Sequence, residues 1–367
     1  MKILQVTTHF NMGGIGNYIL TLSKALKDKG AEIAVATSGG DLEEILAGSA
    51  IPHRRLDMRT KFEFGPKAIK SAFAIAGIVR DEGINIIHAH SRVSQVACAI
   101  ASRMTGVPYV TTCHGYFKKR SRGIFDTWGA RVIAISDAVR THLEEDLGVD
   151  RSRIALVYSG VDTKRFAKEY SAGEALSIKK ELGLKDTPVV GTIGRLSSVK
   201  GQEYLIRALK KVISKKPDVQ GLVVGSGEEE VTLKNLARSL GIEGAVRFVP
   251  SCPDTHRFLS IMDVFVFPSV KEGLSIALLE ALASGRACVA SRIGGIADII
   301  KEGYNGILVD VSDSASIADA VVRLLDDGGL RKEMGDRGRA IVMERFNLDL
   351  MAENMIQLYK EVISLKL

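Results

Sequence analysis

The sequence predicts an α/β protein built from two doubly wound parallel sheets, and three observations carry that prediction. Its 367 residues exceed the usual size of one compact core and suit two domains of about 150–200 residues. Short apolar, β-rich runs alternate with segments of helical period. The runs are apolar on both faces, which marks parallel strands covered by helices on either side.

The elements follow in order. Strands are expected over 3–7, 33–37, 84–88, 109–112 and 132–136, with helical patterns such as 17–29 and 92–105 between them. The alternation weakens over 161–166 and through the polar stretch 168–173. It restarts with 189–193, 219–224, 246–249, 264–267, 287–291 and 306–309. A linker near 160–185 therefore divides a domain of residues 1–165 from one of 166–345. The last amphipathic pattern, 348–365, has no strand after it. The helix of 346–367 must pack on something already built, and the first domain is the expected place.

Hydrophobic content of 46% with 25% charged residues fits a globular enzyme and excludes a disordered chain. The longest uncharged apolar runs fall far short of the ~20 residues that cross a bilayer. Lys2 runs directly into the first strand without a charged leader and apolar signal core, so the cytoplasm is the expected compartment. Cys98, Cys113, Cys252 and Cys288 have neither disulfide nor metal spacing and read as buried thiols. The net charge of +7 lies wholly in the first half: residues 1–165 carry 23 Lys+Arg against 16 Asp+Glu, and 166–367 carry 27 against 27. Two stretches, 53–70 and 118–122, hold much of the excess. A basic surface attracts nucleic acid, anionic lipid headgroups or a phosphorylated substrate, or is simply a solvated face.

Several motifs fall where strands turn into helices. Gly13, Gly14 and Gly16 follow the first strand, where glycines let backbone amides and the positive helix end approach a phosphate. They lack the dinucleotide spacing, and no acidic residue ends the next strand convincingly. In the second half, Gly194-Arg195 ends the first strand and Lys200-Gly201 opens the next helix. Two cations on one loop at the carboxyl edge of a parallel sheet suit a diphosphate. Further on, the strand 264–267 leads through Pro268 to Glu272, Gly273, Leu274 and Ser275 and then a helix carrying Glu280. Glu272 and Glu280 can border one cleft. A carboxylate on the apolar face of Ile276, Leu279 and Ala283 needs hydrogen-bond donors, which ribose hydroxyls supply.

These motifs together resemble family 4 of the glycosyltransferases, the retaining group with the GT-B fold. Glu272 to Glu280 is similar to that family's Glu-x7-Glu motif, Gly194-Arg195 with Lys200 to its diphosphate pair, and Gly13-Gly14-Ile15-Gly16 to its amino-terminal glycine loop. His88-Ala89-His90-Ser91, Ser159-Gly160-Val161-Asp162 and Gly294-Gly295-Ile296-Ala297-Asp298 are also typical of it, and the set spans nearly the whole chain. Two departures stand in the last motif, where Asp298 replaces a frequent Glu and Ala297 a frequent proline.

The resemblance implies the following. Two Rossmann-like domains face a cleft between them, and the linker is a hinge. Glu280 hydrogen-bonds the ribose. Glu272 holds donor-sugar hydroxyls with the amides of Gly273, Leu274 and Ser275. Arg195 and Lys200 bind the diphosphate beside Gly194, Gly14 and Gly16 approach it from the first domain, and His114 touches the donor sugar. The base lies near Gly225 and Val249. The reaction is a retaining transfer of a hexose-type sugar from a UDP- or GDP-linked donor to an acceptor hydroxyl, with no cofactor and no essential metal. The basic first half suggests a lipid-linked or phosphorylated acceptor at the inner membrane face, as in lipopolysaccharide and other cell-envelope glycans, rather than nucleic acid. An NAD(P) oxidoreductase is disfavoured by the missing dinucleotide fingerprint, and a silent binder by intact Glu272, Glu280, Arg195 and Lys200.

Overall fold

Apolar runs of the first half line up as parallel strands: β1 Lys2–Val6, β2 Glu32–Thr37, β3 His53–Arg55, β4 Ile86–Ala89, β5 Tyr109–Cys113, β6 Arg131–Ala134 and β7 Ile154–Leu156. The structure, a computed structural model, describes residues 1–60, 62–117 and 127–365. Among these the strands form one sheet in the order β3-β2-β1-β4-β5-β6-β7. Ile3 lies between Ile33 and Ile86, and Leu4, Ile87 and Ile75 are fully buried in the core on one face. Truncating any of them to Ala costs about 2–5 kcal/mol. Helix Pro66–Glu82 begins on a proline at its first turn and ends at Gly83 with φ 66°, the asymmetry expected of a well-bounded helix.

Two three-residue edge strands, β3 and β7, lie outside the sequence expectation because so short an element carries no readable period. β3 also changes the reading of the first basic stretch. Its Arg54 is tied to Glu82 at 2.6 Å, so part of that charge is spent within the fold, and its His53 lies 2.8 Å from Thr37 Oγ1. The second stretch, 118–122, lies outside the described residues. The helix after β1 begins at Gly14, which puts Gly14 and Gly16 in its first turn rather than in a preceding loop.

The second half builds β8 Val189–Ile193, β9 Gln220–Val224, β10 Val246–Val249, β11 Val264–Phe267, β12 Ala287–Ser291 and β13 Ile307–Val309, ordered β10-β9-β8-β11-β12-β13. Segment 160–185, expected as a linker, holds the helices Thr163–Phe166 and Ala172–Glu181. Its polar residues are their caps: Asp162 accepts from the Arg165 amide, and Ser171 and Glu174 form a reciprocal capping box. The chain falls into two units, Val161–Asn347 and Met1–Gly160 with the segment from Leu348. In the first unit, helix Leu348–Ser364 packs on helix Gly14–Asp28, with Glu353 bound to Lys29 at 2.8 Å.

Cys98, Cys113 and Cys288 are buried, whereas Cys252 is only half-buried, unlike the expectation for it. Among the described residues no helix is long and apolar enough to cross a membrane. Each sheet reverses its chain order beside its first strand, between β1 and β4 and between β8 and β11. Open α/β sheets bind ligands outside the carboxyl ends of the strands at such points.

Candidate functional site

In the second unit the loop after β8 is fastened on both sides. Gly194 N donates to Val224 O and Leu196 N to Ser226 O, both at 3.0 Å, while Gln202 Nε2 donates to Arg195 O at 2.9 Å. A Cβ on Gly225 would collide with Gly194 O, and one on Gly227 with Leu196 O. Glycine is therefore required there for loop packing, whatever binds nearby. Gly225 N also donates to Val249 O at 2.8 Å, so these two residues sit together. Arg195, on the outside of this loop, is exposed and makes no ion pair among the described residues.

Across the switch point, the loops after β8 and β11 join. Val270 N donates to Val199 O at 2.8 Å, and Gly201, with φ 65°, lets the chain pass Pro268 O where any Cβ would clash. Lys200 Nζ and Glu272 Oε2 form an ion pair there, and Nζ lies 5.5 Å from the Phe267 ring centroid. Diphosphate cation and sugar carboxylate, expected in separate roles, are thus each other's partner. Beside them Leu274 and Ser275 are buried, and their amides donate to no protein acceptor among the described residues. Amides without a protein partner are uncommon in folded proteins and fit ligand oxygens. Ser275 Oγ caps helix Ile276–Ala283 by accepting from Leu278 N.

Glu280 lies within that helix, half-buried, and Thr255 Oγ1 donates to its Oε2 at 2.9 Å. Burial pushes its carboxyl up to about 7, against the opposing pull of the Thr255 hydroxyl and the Arg165 charge. It meets neither Arg195 nor Lys200 directly. Thr255, which the sequence reading did not single out, follows β10 as a polar residue at a helix start.

The equivalent place in the first unit is built from neutral groups. Gly14 opens onto free space, whereas a Cβ on Gly16 would collide with Asn11 O and Leu42. Gly16 is thus a packing glycine. Tyr18, one turn on, sets its ring edge against His114 at 4.6 Å. His114 Nε2 lies 3.0 Å from His90 Nδ1, and His90 Nε2 lies 2.6 Å from Gln5 Oε1. Gln5 Nε2 donates to Tyr359 Oη at 3.3 Å, Tyr359 Oη lies 2.7 Å from His88 Nδ1, and His88 Nε2 lies 2.6 Å from Thr112 Oγ1.

The donors in this chain follow from the Gln5 amide, in the orientation its bond to Tyr359 assigns. Its Oε1 only accepts, so His90 donates from Nε2 and accepts at Nδ1, and His114 donates from Nε2. That leaves the lone pair of His114 Nδ1 free to accept. Tyr359, having accepted from Gln5, donates to His88, which donates on to Thr112. Burial pushes His88 and His90 well below the usual imidazole range and His114 down to about 3, so all three rings are neutral near pH 7. Gln5 and Tyr359 were not expected as part of a site. The one signal for Gln5 is polarity inside a strand that should be apolar on both faces, where it pairs with His88 in register; Tyr359 sits on the buried face of helix Leu348–Ser364 and carries no such mark.

Known proteins can be compared with this geometry. The family model described as Glycosyltransferase Family 4 matches residues 12–165, and that of Glycosyl transferases group 1 matches 175–341. The UDP-Gal:alpha-D-GlcNAc-diphosphoundecaprenol alpha-1,3-galactosyltransferase of Escherichia coli is 30% identical over 314 residues, which cover 81% of this chain and 80% of that protein. The chain belongs to glycosyltransferase family 4. This glycosyltransferase is also 27% identical over 379 residues to the N-acetyl-alpha-D-glucosaminyl L-malate synthase of Bacillus anthracis, covering 99% and 98% of the two chains. Its fold is GT-B: Anabaena Alr3699/HepE in complex with UDP-glucose superposes with a TM-score of 0.85 at 23% identity, covering 98% of this chain and 100% of that one.

Proposed function

We propose that this glycosyltransferase moves a hexose-type sugar, with retention of anomeric configuration, from a nucleoside-diphosphate donor held by the second unit. The observation that carries this reading is the Lys200–Glu272 pair at the β8/β11 switch point, beside the partnerless amides of Leu274 and Ser275. Breaking the bond from anomeric carbon to phosphate leaves negative charge on the diphosphate, and fixed cations and amides stabilise that charge without reorganising. Lys200 and Arg195 take the diphosphate. Glu272, released from Lys200 by a phosphate oxygen, takes sugar hydroxyls. Glu280 with Thr255 takes the ribose, and the Gly225–Val249 corner lies against the base.

The first unit contributes hydrogen bonding rather than charge. His114 accepts a sugar hydroxyl at Nδ1, and Gly14 offers open backbone at the start of its helix. No side chain is required as covalent nucleophile. Retention then comes from front-face attack, in which the departing phosphate takes the acceptor's proton, and the cations of the second unit replace an essential divalent metal.

For the acceptor we favour a lipid-linked or phosphorylated molecule of the cell envelope, met at the inner membrane face. The first unit exposes Phe62 at 78% and Phe73 at 59%, with Phe64 and Ile69 between them and Lys70 and the Asp57-paired Lys67 alongside. Apolar side chains rimmed by cations are what an anionic lipid surface attracts. The E. coli relative is named for a diphosphoundecaprenol-linked acceptor.

A thermal-shift panel of nucleotide sugars tests the core of this reading, because a bound donor raises the melting temperature by an amount that grows with the logarithm of its affinity. One nucleotide sugar is expected to stabilise the protein selectively, in EDTA as well as in magnesium, and the product's anomeric NMR coupling should match the donor's. Stabilisation by none of them, or only with a divalent ion, overturns the proposal.

A further inference from the structure

The second unit contains a polar cavity of about 360 Å³ away from the β8 and β11 loops. It is lined by Lys168, Glu169, His256, Ser284, Arg286 and Arg339. Arg286 is fixed by two carbonyls, its Nε donating to Ser284 O and its Nη1 to Met262 O, both at 3.1 Å. Burial holds its guanidinium below the ordinary arginine value, and the neighbouring charge of Arg339 lowers it further while Asp263 raises it. Asp263 is shared with Arg331 at 3.9 Å.

Arg339 is the anomaly. Its side chain is only 25% exposed, and among the described residues its one ion pair is a 3.7 Å approach of Nη1 to Glu169, whose own side chain is 82% exposed. Its Nε is buried with no hydrogen-bond partner, and among the described residues the guanidinium makes no hydrogen bond at all. Gly285 makes room for it: a Cβ there would lie 2.7 Å from Nη2. A largely buried guanidinium without acceptors, set beside a second cation, is destabilising unless an anion compensates it.

We propose that this cavity is a binding site for a phosphoryl anion, free or carried on a small phosphomonoester, held by Arg339 and Arg286 with Lys168 at the rim. A phosphoryl group supplies three acceptor oxygens to a planar fork whose donors are otherwise unused. The volume leaves room beyond the phosphoryl group for a small attached metabolite. His256, lining the cavity, directly follows Thr255, and Ser284 Oγ donates to Glu280 O at 2.9 Å. An occupant therefore touches Ser284, which holds the Glu280 backbone, and the residue next to Thr255, which holds its carboxylate, and is placed to act as an effector of this enzyme.

The test is calorimetric titration of inorganic phosphate, and separately of glycerol 3-phosphate, into the wild type, Arg339→Gln and Lys200→Gln. Phosphate binding is expected to persist in Lys200→Gln, which perturbs only the loop between β8 and β11, and to weaken by about tenfold or more in Arg339→Gln. Tighter binding of the monoester than of phosphate identifies the carried form, and equal binding the free ion. In phosphate-free buffer Arg339→Gln should melt no lower than the wild type, since the like-charge contact with Arg286 that it removes outweighs the 3.7 Å pair with exposed Glu169. Should Arg339→Gln fail to fold, Arg339 is a structural anchor and the proposal falls, unless Lys168→Gln, at an exposed position, folds normally and weakens phosphate binding several-fold. Phosphate binding that vanishes in Lys200→Gln, or that Arg339→Gln leaves unchanged, overturns the site.

Discussion

In both units the strand order turns back beside the first strand, and each unit places polar side chains there, but the two sets have opposite electrostatic character. Between β8 and β11 the groups are ionised and partly open to solvent: the Lys200–Glu272 pair, with exposed Arg195 close by in sequence. Between β1 and β4 they are neutral and buried, with hydrogen bonds passing in an open chain from His114 through His90, Gln5, Tyr359 and His88 to Thr112. The sheet order decides where a ligand can sit. On the proposed reading the ionised loops take a diphosphate and the neutral hydrogen-bonding lattice takes sugar hydroxyls.

The comparison breaks most visibly if charge in the second unit proves dispensable. Lys200→Ala is expected to lower kcat by about 10²–10³, the loss typical of one preorganised group facing developing negative charge, and an initial-rate assay with the stabilising donor reads it directly. A fall of less than about threefold would leave the diphosphate without its proposed counter-charge.

The neutral lattice is broken next by Tyr359→Phe. That change leaves Gln5 and His88 Nδ1 without their shared partner and costs about 1–3 kcal/mol of stability, measured by denaturant unfolding. Nitrogen-15 shifts of the histidine rings sharpen the same point. His114 should appear neutral with its proton on Nε2 between pH 5 and 8. A proton on Nδ1 would reverse the polarity of the whole chain.

Glu280 gives the comparison a pH axis. Its pKa, raised to about 7, means that the folded protein holds this proton more tightly than an unfolded chain does. Its contribution to stability is present in acid and lost as pH rises through about 7. Ribose hydroxyls donate to the ionised carboxylate, so nucleotide binding should release a proton near pH 7 and weaken as pH falls below it. Calorimetry in buffers of different ionisation enthalpy measures that proton, and Glu280→Gln should abolish it. The smallest effect separates the two glycines of the first unit. Gly16→Ala meets Asn11 O and Leu42 and should cost about 1–3 kcal/mol, while Gly14→Ala, with open space around it, should stay near zero by the same unfolding measurement.

Much of the fold and the second unit's site was legible in the chain because parallel strands and ionisable loop residues leave local marks. Strands β8, β10, β11 and β12 fall on their expected residues, while Arg195, Lys200 and Glu272 stand out as charges in the loops after strands and Glu280 as a charge on an apolar helix face. Less legible was anything whose meaning depends on a distant partner. The Lys200–Glu272 pair joins residues 72 apart in the chain and the Gln5–Tyr359 bond residues 354 apart, and no local period announces either. Gly16 and Gly225 read as ligand-facing glycines in sequence. What the fold adds is that each also clears a neighbouring backbone oxygen.

The division of labour between ionised and neutral halves is tested most directly by nucleoside diphosphate affinity in two variants, using whichever of UDP and GDP stabilises the wild type. Lys200→Ala should raise the Kd by about tenfold or more, while His114→Ala should leave it unchanged and instead slow transfer from the intact nucleotide sugar. Equal weakening by both variants, or none by Lys200→Ala, would contradict it.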